Sequence, residues 1–200
     1  DFNPTPTAWL GRKISREVPV LGAVDGLQVR KRMKDFSVGV IAGFRPDYRD
    51  YGFNAKLLQF GAYGAHEYNG DNGFAQTSLA AVQQQNSGKT DRRFIYLQHS
   101  NTLVDKLYFY GSTELDLFQN INGSKNSEPR LTGIYLSLRY RPVRKLSVTA
   151  SFSSRKNVIY YETYRTIVDR LLATEALQGY RLGVTWRPLN RLAVGIKGSY

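Results

Sequence analysis

Apolar residues recur at every second position over long stretches of this chain. From Leu146 onward, Leu146, Val148, Ala150 and Phe152 alternate with Ser147, Thr149, Ser151 and Ser153. In 192–200, Leu192, Val194, Ile196 and Tyr200 oppose Ala193, Gly195, Lys197 and Ser199. In 36–44, Phe36, Val38, Val40, Ala42 and Phe44 oppose Ser37, Gly39 and Gly43. A period of two puts successive side chains on opposite faces of an extended strand. On this pattern ten strands are predicted, at 26–33, 36–45, 54–67, 73–85, 92–99, 105–117, 130–140, 145–155, 176–186 and 191–200. Nothing suggests the helix–strand alternation of a doubly wound fold.

Two segments are near copies. Tyr140-Arg141-Pro142-Val143-Arg144-Lys145-Leu146-Ser147-Val148 and Trp186-Arg187-Pro188-Leu189-Asn190-Arg191-Leu192-Ala193-Val194 both run aromatic-Arg-Pro, a basic link, then Leu-x-Val. Each is predicted to be a tight turn closing a long hairpin. Further short turns are expected near 34–35, 69–72 and 101–102, and longer links at 46–53, 86–91, 118–129 and 156–175. Short and long links in alternation describe an up-and-down meander with two unlike rims.

Such a sheet has one greasy and one small or polar face. In a soluble sandwich two greasy faces meet; in a membrane barrel the greasy face meets lipid and the other lines the lumen. Composition does not separate them, because only alternate residues of a barrel strand face lipid. The 42% hydrophobic content therefore fits either, and Tyr 14, Phe 10 and Gly 18 of 200 residues lean towards a barrel. Strand length leans the same way: a bilayer takes roughly 9–11 residues, whereas soluble strands have a mode of about 5–6. The expected fold is thus an all-β, antiparallel up-and-down transmembrane barrel, with 26–200 as barrel strands and 1–25 as an extracellular loop or irregular N-terminal segment.

Outer-membrane barrels keep short turns in the periplasm and long loops outside. On that orientation Phe36, Tyr140 and Trp186 form part of a periplasmic aromatic girdle. Both ends of the chain then fall outside the cell, so these 200 residues read as a stretch of a larger barrel. The absence of cysteine is compatible with an oxidising compartment and does not identify one.

The segments Val24-Asp25-Gly26-Leu27, Phe44-Arg45-Pro46-Asp47-Tyr48 and Arg155-Lys156-Asn157-Val158-Ile159-Tyr160-Tyr161-Glu162-Thr163, with the two aromatic-Arg-Pro turns, resemble the large, functionally unassigned, porin-like outer-membrane β-barrels of Bacteroidota. The resemblance implies architecture and localisation in the outer membrane of a Gram-negative bacterium, and brings no catalytic residue with it.

Charge enters next, with 28 basic against 16 acidic residues, net +12. The alternation points Arg30, Arg32, Arg139, Arg181 and Lys197 to the polar face, with Glu114 and Asp116. If these line a lumen they favour anionic solutes; the alternative is that they pair with carboxylates in a packed network. Lys31, Lys34, Arg141, Arg144, Lys145, Arg187 and Arg191 sit at the short turns, where they are expected to anchor to lipid phosphates. The aromatics do not cluster with the cations as base-stacking platforms do, so nucleic acid is not an expected partner.

Catalytic chemistry has little to build on. His66 and His99 lack a neighbouring nucleophile pattern, no metal-ligand spacing occurs, and no cofactor is implied. Asp47 and Asp50 near the outer rim have no histidine beside them, and Glu114 with Asp116 reads as a charge network rather than an acid–base pair. The expected partners are membrane lipid, with lipopolysaccharide, and an envelope or surface protein held by the long loops. Of these, 156–176 carries helix-like apolar spacing (Ile167, Val168, Leu171, Leu172, Leu177), fitting either loop self-packing or partner docking. The leading function is a porin-like passive channel, its rival a plugged scaffold barrel.

Overall fold

The computed structural model describes residues 5–47, 50–121, 124–156, 176–189 and 192–200. Among them the chain forms one antiparallel sheet of strands β1 (Thr7–Ile14), β2 (Ala23–Met33), β3 (Phe36–Phe44), β4 (Leu57–Gly70), β5 (Gly73–Asn86), β6 (Lys89–Asn101), β7 (Leu107–Ile121), β8 (Ser124–Asn126), β9 (Arg130–Val143), β10 (Leu146–Lys156), β11 (Ala176–Leu189) and β12 (Leu192–Ser199). Eleven lie side by side in chain order, and β8 folds back on the end of β7. The fold is the all-β, up-and-down meander that the alternation predicts. No pairing joins β1 to β12 among the described residues, so the sheet is open.

β4 to β7, β9 and β11 are 13 to 15 residues long, more than the roughly 9–11 that a bilayer takes. No helix among the described residues is long and apolar enough to cross a membrane. The outward face carries Leu27, Val38, Val40, Leu79, Leu97, Leu136, Leu138, Leu182, Val184 and Ile196, all exposed. The inward face carries the residues opposite them, and its core cluster sits there on β2 to β6.

Four expectations are corrected. Within the segment 1–25, expected to be a loop or irregular, Thr7–Ile14 is a strand that pairs with β2 in full register, and a strap of residues 15–22 follows it. Its alternation is masked because Trp9 lies on the inner face beneath Lys13, and Arg12 sits on the outer face, paired with Asp25 at 2.6 Å. The link 86–91 is not long. β5 and β6 join through Ser87-Gly88, both at positive φ (50° and 78°), as a two-residue hairpin turn requires. The strand residues of that link, Asn86, Lys89, Thr90 and Asp91, are all polar and so imitate a loop. The link 118–129 is largely taken up by the end of β7 and by β8.

The fourth correction concerns Arg141, Pro142, Arg187 and Pro188, which belong to strands rather than turns. The first turn itself is the two-residue link 144–145, and residues 190–191 of the second copy lie outside the described residues. Arg141-Pro142 lies opposite Ser147 alone, and Arg187-Pro188 opposite Ala193 alone, so each pair is a bulge. A proline has no N–H to give a ladder, and a bulge is where a sheet tolerates it. The copies agree in detail: the Arg141 amide donates to the Lys106 carbonyl at 2.8 Å, and the Arg187 amide to the Lys145 carbonyl at 2.7 Å.

Candidate functional site

The inner face divides into two halves of different chemistry. Over β2 to β6 it is covered by the strap. Val18 and Leu21, 1% and 2% exposed, pack onto Val24, Ile41, Tyr63, Ala80, Val82, Phe94 and Tyr96. Gly39 makes room for this, since a Cβ there would lie 2.5 Å from the Tyr63 ring. Polar contacts fix the strap along its length: Ser78 Oγ donates to the Glu17 carbonyl at 2.8 Å, Gln98 Nε2 to the Arg16 carbonyl at 3.2 Å, and Arg16 Nη2 to Gln76 Oε1 at 3.1 Å. Glu17 accepts from Arg30 at 2.9 Å.

This packing is what orders residues 15–22. Leu21→Ala is expected to remove about 2–5 kcal/mol of it, read as lost hydrogen-exchange protection at 15–22 with β9 to β12 unchanged. Protection that survived the substitution would mean the polar contacts alone hold the strap.

Beside the strap lies a second buried group. Arg92, 3% exposed on β6, donates from Nε and Nη2 to Asp116 at 2.5–2.9 Å and from Nη2 to Glu114 at 2.8 Å. Its guanidinium stacks 4.0 Å from the Phe94 ring centroid. Thr132 Oγ1 and the Gln119 amide complete the shell around Asp116. Glu114 and Asp116 thus face inward as expected, as the acceptors of an arginine that sequence reasoning left at the margin of a strand. Arg32, also predicted inward, pairs with Glu67 at 2.9 Å. Arg30 and Arg32 each therefore pair with a carboxylate.

Over β9 to β12 the chemistry changes. These strands contain Arg130, Arg139, Arg141, Arg155, Lys156, Arg181, Arg187 and Lys197 and no Asp or Glu. Arg155 reaches Glu114 at 3.7 Å; Arg139, Arg181 and Lys197 make no ion pair among the described residues. They line an open-sided cavity of about 1780 Å³ with Ser147, Thr149, Ser151, Thr185 and Ser199. Arg141, Arg144, Lys145 and Arg187, expected at lipid phosphates, line the same cavity at its short-turn end. Asp71 and Asp105 are its acidic residues, and Asp105 pairs with Lys106 at 3.6 Å.

Phe36, Tyr140 and Trp186 are 57%, 47% and 53% exposed on the opposite, apolar face, near the short turns. The Phe36 and His66 rings stand 4.5 Å apart. His99 is held between Thr77 Oγ1 at 2.7 Å and Asn101 Nδ2 at 2.9 Å. Among the described residues there is no group of three metal-ligating side chains. Of the expected recognition loop 156–176, Lys156 and Ala176 pair at the ends of β10 and β11 and Leu177 belongs to β11, while 157–175 lie outside the described residues, as does Arg191.

No family model, characterised protein or solved structure matches this chain.

Proposed function

We propose that the chain is part of an outer-membrane β-barrel of a Gram-negative bacterium, of the porin-like Bacteroidota type it resembles, and that it conducts anionic solutes passively along the wall formed by β9 to β12. One observation carries the reading: four adjacent strands without a single carboxylate among their described residues line one cavity with Arg139, Arg181 and Lys197, which make no ion pair among the described residues. Like charges on a low-dielectric wall focus their field into the enclosed water and lower the barrier for anions. The apolar outward face and the length of the strands support the membrane setting. Phe36, Tyr140 and Trp186 serve as its interfacial ring.

The test is single-channel recording of the purified full-length protein in planar bilayers under a salt gradient. Anion-selective openings are expected, and cation-selective openings would refute the assignment of the wall.

A second reading, a plugged barrel that holds an envelope or surface protein through its long links, is favoured by the strap, which fills the β2 to β6 half of the inner face. Clean insertion with no conductance would select it.

A further inference from the structure

We propose that the wall of β9 to β12 holds a discrete, saturable binding site for a phosphate group, centred between Arg139, Arg181 and Lys197. The inference deepens the anion-conducting reading and rests on it for access to the site.

The register builds the site. Arg139 on β9 pairs with Thr149 on β10, Thr149 with Gly183 on β11, and Gly183 with Lys197 on β12. Two cations therefore close the ends of one row, and at roughly 4.8 Å per strand their Cα atoms stand about 14 Å apart. Arg181 rises from the next inward-facing row, about 7 Å along β11, where Ser151 and Ser199 flank it. Between the three the floor is small, made of Thr149, Ser151 and Gly183. Lys197 already leans over that floor, its Cγ 3.6 Å from where a Gly183 Cβ would sit.

Three other cations of the inner face meet a carboxylate: Arg30 has Glu17, Arg32 has Glu67, and Arg92 has Glu114 and Asp116. Arg139, Arg181 and Lys197 share one cavity and pair with no carboxylate among the described residues. Their mutual repulsion is relieved by a bound anion, which makes the pocket a counter-ion site.

The donor set selects the kind of anion. Two guanidinium forks, one ammonium and the flanking hydroxyls offer hydrogen bonds from several sides, matching a tetrahedral dianion with four acceptor oxygens. A carboxylate has two oxygens and one charge, and satisfies a fraction of the donors. A halide has no directional acceptors.

Inorganic phosphate is the probe, titrated calorimetrically into the full-length protein in neutral-lipid nanodiscs at low chloride, with acetate as comparison. Saturable phosphate binding, at least tenfold tighter than acetate, is expected. It should weaken at least tenfold in Arg139→Gln/Arg181→Gln and stay unchanged in Lys89→Gln on the far rim. Unsaturable uptake, equal affinity for acetate, or a double variant that binds like wild type would overturn the proposal. Nanodiscs containing anionic lipid separate the two sources of phosphate. Unchanged affinity supports a soluble ligand, and binding abolished by anionic lipid overturns it in favour of a headgroup. Phosphate binding with silent bilayers would support the site and overturn conduction, whereas anion-selective conduction without saturable binding would do the reverse.

Discussion

Arg92→Met is expected to destabilise the chain by about 3–5 kcal/mol, the largest stability effect of any single change considered. The arginine is buried against two carboxylates, and Asp116 is itself 1% exposed. Deleting the cation leaves Asp116 and Glu114 on the same face of β7, two residues apart, with Thr132, Gln119 and the more distant Arg155 as their remaining side-chain partners among the described residues. The loss comes chiefly from stranding buried charge, and much less from forfeiting favourable Coulomb energy, because desolvation of such a group absorbs most of what pairing returns. This distinction can be measured. Arg92→Met/Glu114→Gln/Asp116→Asn removes all three charges together and is expected to recover most of the loss, as exchange of a whole buried network for neutral groups often does. Urea midpoints followed by fluorescence of Trp9 and Trp186 in detergent would report both. A triple variant no more stable than Arg92→Met would show that packing of the guanidinium on Phe94, rather than charge balance, dominates.

Most of the sheet was legible from alternation alone. The strands around Phe36, Leu146 and Leu192 put on each face the residues that the period of two assigns them, because a period of two has only one extended solution with a greasy side. The same rule misled where polarity was not alternating. Asn86 and Lys89 to Asp91 continue two strands past the point where the pattern fades, and only the positive φ of Ser87 and Gly88 marks the turn.

One irregularity did carry information. Ile41 breaks the small-residue face of 36–44, and in the structure it lies under Val18 and Leu21. An apolar residue on a polar face was the signal that something covers it. The identity of the cover was not legible, because the strap lies 20 or so positions upstream in a segment with no period. Pairing on the inner face was hidden for the same reason. Arg30 meets Glu17 and Arg92 meets Glu114 through tertiary contact and strand order, whereas the missing carboxylates of β9 to β12 are visible in the sequence once the strand limits are known.

Reversing that wall should reverse the channel. Arg139→Glu/Arg181→Glu/Lys197→Glu changes the cavity by six charge units (three sites, +1 to −1 each) on strands that carry no carboxylate of their own. All three side chains are exposed in the cavity, so the change acts on the field along the water path and leaves the buried Arg92 cluster intact. The expected result is a change in sign of the reversal potential, with the anion-to-cation permeability ratio moving on the order of tenfold or more. The paired cations supply the control. Arg32→Gln/Glu67→Gln removes one charge of each sign at 2.9 Å separation and should leave selectivity where it was. If the control shifted selectivity as far as the triple variant, ions would pass along the strap side of the inner face. If neither moved it, selectivity would arise outside β9 to β12, and the cations there would serve binding or assembly instead of conduction.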